Sequence, residues 1–142
     1  MFTSLLAHLN WLHILVATIV YFVLGALWYS KVLFANPWIK GHGIIVNEAD
    51  ATKGMAGIML GSFILFFLVT TGVAIMQQLI PGYNFNAVQS IKHSLLISCL
   101  FSFATISIGY LYTKKPLVVH LIDGLYHVTG ITIVGLILTL WK

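Results

Sequence analysis

The residues with the most chemistry to offer are His120-x-x-Asp123-x-x-x-His127. Steps of three and four residues set all three on one face of a helix, with the acid one turn ahead of the base between Asp123 and His127. Imidazoles titrate near neutral pH, and a carboxylate among them can pass a proton along, so the chemistry is that of a relay. Tyr126 adds a phenol beside them. Asn10 and His13 begin a second stripe at the same spacing, and His93 stands at the start of a third with Ser94. Asn10, His13, His93, His120, Asp123, Tyr126 and His127 thus make up the candidate polar relay or binding site. Neutral imidazoles also ligate zinc, copper or haem iron, and His13, His93 and His127 are the set expected at similar depth. The spacing names no metal and no cofactor.

The elements that must position these groups are read from where charge is missing. Of 142 residues, 60% are hydrophobic and only 7% charged, and the mean hydropathy is +1.02. A soluble domain carries roughly a quarter charged residues, so the surface here is built for lipid. Residues 1–30, 54–91, 93–113 and, apart from Asp123, 116–141 hold no Asp, Glu, Lys or Arg. About 20 helical residues cross a bilayer core, which gives spans near 6–29, 52–79, 87–112 and 117–141. The expected fold class is all-α, an integral membrane four-helix bundle forming a single transmembrane domain over residues 1–142. The apolar runs lack the alternation of a barrel strand, and helices satisfy every backbone polar group within lipid. The first stretch lacks a basic leader and a small-residue cleavage site, so it reads as a span.

Connections follow from turn residues. Pro81-Gly82-Tyr83-Asn84 reverses the chain between the second and third spans, and Thr113-Lys114-Lys115-Pro116 makes the last two an antiparallel hairpin. Residues 31–53 read as the single long loop, with Asn47 capping the second helix ahead of Glu48 and Asp50.

Most polar residues have a plain structural reading. Trp28, Tyr29, Trp38, Tyr110 and Tyr112 read as anchors at one membrane interface, and Trp11, Tyr83 and Trp141 at the other. Gly57-x-x-x-Gly61 is a candidate helix-packing pair. His8 and His42 read as interfacial or loop residues. Only for His120, Asp123 and His127 do a structural hydrogen-bond network and a functional site compete evenly.

A longer pattern runs through these residues: Asn10-Trp11-Leu12, then Gly25-x-x-Trp28-Tyr29-Ser30-x-x-Leu33-Phe34-x-x-x-Trp38, then Lys92-His93 and Asp123-x-x-Tyr126. It resembles the bacterial domain-of-unknown-function 1761 family of small four-span membrane proteins over essentially the whole chain. Lys31 departs from the pattern, a proline being usual there. The resemblance implies the architecture and a bacterial inner-membrane location, and brings no activity and no functional residue with it.

The seven lysines, with no arginine and three acids, sort into Lys31, Lys40, Lys53, Lys114 and Lys115 at one end and Lys92 and Lys142 at the other. The positive-inside rule makes the first end, with loops 31–53 and 113–116, cytoplasmic, and both termini external. The lysines do not cluster into a nucleic-acid footprint, and the expected partners are the lipid bilayer and a second copy or another membrane protein. No paired carboxylate, phosphate loop or HExxH is present, so an enzyme is the least supported class. A binding or structural membrane module leads, ahead of a proton- or ion-coupled transporter or channel and of a metal or haem site.

Overall fold

The computed structural model describes residues 6–45, 54–80 and 86–141. Its elements are α1 (Trp11–Trp28), α2 (Ala35–His42), α3 (Met55–Leu79), α4 (Ala87–Ile97), α5 (Ala104–Tyr112) and α6 (Leu117–Leu140). A π-helical stretch, Ser98–Phe103, joins α4 to α5, so these form one continuous membrane helix over Ala87–Tyr112. With α1, α3 and α6 this gives, among the described residues, four helices long and apolar enough to cross a bilayer. The fold is all-α, a four-helix membrane bundle, with no strand among the described residues.

The third and fourth spans begin at Ala87 and Leu117 as expected, whereas the first two begin later than hydropathy alone predicts, because caps decide those ends. Asn10 accepts from the His13 backbone N–H at 3.2 Å and starts α1 at Trp11 instead of Leu6. Gly54 takes φ +77° in the left-handed region, which glycine adopts without strain, and α3 starts after it at Met55 instead of Thr52. The expected Asn47 cap and the Pro81–Asn84 turn lie outside the described residues. Asn86 and Gln89 form a reciprocal capping box at the start of α4 that the sequence reading missed. The hairpin between α5 and α6 is as expected, closed by Lys114 at φ 52° and by the Lys115 N–H donating to the Tyr110 carbonyl at 2.9 Å.

The hub is α6. Half of its apolar window is buried, against 11 to 22% for the other spans, so the other helices pack around it. Its glycines make this possible: a Cβ at Gly130 would overlap the Tyr21 ring, one at Gly124 the Phe103 ring, and one at Gly135 the Ser94 side chain. Small residues at crossings let backbones approach where lipid supplies no hydrophobic drive. Among the described residues, nothing lies within 4 Å of a Cβ built at Gly57 or Gly61.

The loop reading of residues 31–53 needs correction, because it contains α2. Eight residues with Pro37 and Gly41 among them have little intrinsic tendency to stay helical. Pro37 is tolerated in the first turn, where its missing N–H is not needed, and Gly43 closes the helix at φ +70°. Docking supplies the rest. A Cβ at Gly41 would overlap Val119, so the absence of one lets α2 lie against the start of α6.

Candidate functional site

The docked α2 and the start of α6 bring together what the sequence keeps apart. Asp123, the seventh residue of α6, lies about 9 Å along the helix axis from its first residue and is 5% exposed. Three donors from three other elements converge on it. The Tyr29 hydroxyl, just past the end of α1, donates to Oδ1 at 2.6 Å. The Trp38 indole N–H, from α2, donates to the same oxygen at 2.9 Å. The Tyr110 hydroxyl, near the end of α5, donates to Oδ2 at 2.5 Å. The His42 Nε2 stands 3.6 Å from Oδ2, with its ring 4.4 Å from that of Trp38.

A second layer holds these donors in place. The Trp28 indole donates to the Ile122 carbonyl at 3.0 Å, fixing the end of α1 against the residue before Asp123. Phe34 packs on Trp28 at 4.8 Å between ring centres. The Tyr29 ring meets Trp38 and Tyr126 edge-on at 5.5 and 5.3 Å. The Lys115 ammonium donates to the His42 carbonyl at 3.0 Å, tying the end of α2 to the α5–α6 turn.

The expected stripe on α6 is therefore divided among separate partners. No hydrogen bond or ion pair joins Asp123 to His120 or His127; its two oxygens accept from Tyr29, Trp38 and Tyr110. The His127 Nδ1 is instead hydrogen-bonded to the Tyr21 hydroxyl at 2.5 Å. His120 donates from Nε2 to the Lys115 carbonyl at 3.2 Å. Tyr126 donates to the Tyr21 carbonyl at 3.2 Å, its hydroxyl seated over Gly25, where a Cβ would come within 2.8 Å.

The remaining candidates stand at the opposite end. Asn10 donates from Nδ2 to His13 Nε2 at 3.1 Å, and the His13 ring stacks on Trp141 at 4.5 Å. Asn10 and His13 line a cavity of about 240 Å³ together with Gln77, Gln78 and apolar side chains such as Ile14 and Leu138. His93 is half-buried near the start of α4, also remote from Asp123. The imidazoles that a metal or haem reading requires are thus dispersed, and no group of three or more His, Cys, Asp or Glu among the described residues could hold a metal ion.

Tyr29, Trp38 and Tyr110, expected to anchor the membrane interface, turn their polar tips inward to one carboxylate. His42, expected to be an idle loop residue, stands beside it. Gly25, Trp28, Tyr29, Phe34 and Trp38, with Asp123 and Tyr126, come from the long sequence pattern and form one cluster here, whereas Asn10 and His93 of the same pattern stand at the opposite end. The sequence matches the family described as a protein of unknown function (DUF1761) over residues 12–139. The chain belongs to this family. No curated protein and no solved structure matches it. Within this DUF1761 protein, Tyr29, Trp38 and Asp123 belong both to the long sequence pattern and to the carboxylate cage, while the third donor, Tyr110, lies outside the pattern.

Proposed function

We propose that this DUF1761 protein is a non-catalytic binding or structural module of the bacterial inner membrane, and that Asp123 is the clamp that fixes its interfacial helix α2 to the bundle. The observation that carries the reading is the convergence of Tyr29, Trp38 and Tyr110 on Asp123. An acid whose oxygens accept from donors on three different elements is engaged as a structural tie. An aspartate in a membrane helix is costly, about 2.5–3.5 kcal/mol at the helix centre on insertion scales, and three hydrogen bonds offset that. The lysine-rich end, with Lys31, Lys40, Lys114 and Lys115 exposed or half-exposed around the clamp, then faces the cytoplasm.

The test is accessibility of a buried α2 position. Ala35, 7% exposed, becomes a reporter as Ala35→Cys in a Cys99→Ser background. A water-soluble maleimide should label it slowly in the parent protein and several-fold faster after Asp123→Asn or Trp38→Phe. Equal labelling in all three would remove the clamp. If α2 stayed docked while Asp123→Asn abolished proton flux in liposomes, a relay would replace it.

A further inference from the structure

Beside the clamp lies a cavity of about 670 Å³ between α1, α2 and α3. Phe22 and Ala26 line it from α1, Ile39 from α2, and Met55, Ile58 and Phe66 from α3. Tyr29 and Trp38 also form its wall, but their polar atoms are committed to Asp123, so they offer the cavity only ring surface. Ser62 supplies the one remaining hydroxyl among its described lining residues. Water in a cavity needs two to four polar partners, and this lining does not provide them. A volume in the range of ligand sites, walled by apolar side chains, calls for an apolar occupant.

Two of the three walls, α1 and α3, are membrane-spanning helices, so the surrounding solvent that can enter is lipid. Two lysines lie close in the chain to lining residues of the cavity. Lys31 and Lys40 stand exposed on the segments that carry Tyr29 and Ile39, and they add to a chain with a net charge of +4. Basic side chains at the membrane surface attract anionic headgroups. We infer that this cavity is a lipid site, holding one acyl chain of a phospholipid whose anionic headgroup lies against Lys31 and Lys40. The site requires the four-span fold and the cavity walls; it does not require Asp123 to be a clamp.

The intact protein, extracted in mild detergent, tests this by native mass spectrometry. The expected spectrum carries one phospholipid per chain, enriched in phosphatidylglycerol over phosphatidylethanolamine relative to the source membrane. Ala26→Phe and Ser62→Phe, which fill the cavity, should abolish the adduct, while Lys31→Gln with Lys40→Gln should retain a lipid and lose the anionic preference. Unchanged adducts in the filled variants, or none in the parent, would overturn the site. A second readout needs no variant. A phosphatidylglycerol with a diazirine at its chain end should cross-link to residues 22–29 and 55–66, and labelling spread evenly over 87–112 would contradict the proposal. Asp123 is intact throughout, so loss of the lipid site and loss of the clamp are separate results.

Discussion

A carboxylate two turns into a membrane helix is tolerated only when its charge is shared, and the chemistry of each donor decides what a substitution does. The Trp38 indole only donates, whereas the phenols of Tyr29 and Tyr110 can donate or accept. Asp123→Asn leaves one acceptor oxygen and brings an N–H₂ towards groups that were donating. The expected loss is about 1.5–3 kcal/mol, the usual worth of hydrogen bonds to a charged group, read as a lower Tm in detergent. Tyr29→Phe removes one donor and leaves the others, so a smaller loss of about 1–2 kcal/mol is expected in the same assay. Gly130→Ala drives a methyl into the Tyr21 ring; overpacking of this kind costs about 1–3 kcal/mol, and it should also disturb the Tyr21–His127 hydrogen bond. Sequence reading found Asp123 because an acid in an apolar run is conspicuous. It missed the partners, which lie 13 to 94 residues away and look like ordinary interface aromatics. Local periodicity carries no information about which distant donor faces an acid, and the i,i+4 rule paired Asp123 with His127 for want of any competitor.

At the level of elements, the four spans were legible to within a few residues, since length and charge exclusion set them. What escaped was α2, whose helix exists by docking more than by propensity, and the π-helical Ser98–Phe103, which has no composition of its own. The dependence of α2 on contact makes a direct prediction. Gly41→Leu places a side chain where Val118 and Val119 already stand. It should speed amide exchange across residues 35–42 by roughly tenfold or more for each 1.4 kcal/mol of lost docking energy, and leave exchange in α6 unchanged. Uniform loosening of all four spans would show that α2 docking and bundle stability are one unit.

For the whole molecule, the lysine distribution and the clamp describe the same end. Asp123, α2 and the α5–α6 turn lie together, joined by Lys115, while His13 and Trp141 mark the other end. Single cysteines at Lys40 and Asn10, again with Cys99→Ser, should label from opposite sides of sealed inverted vesicles. Labelling from one side at both positions would contradict the four-span orientation. The clamp itself is tested most directly by hydrogen–deuterium exchange of residues 35–42 in lipid nanodiscs, comparing the parent protein with Asp123→Asn. The expected result is fast exchange in α2 alone once the carboxylate is gone, with the span cores still protected. Unchanged protection of α2 would contradict it.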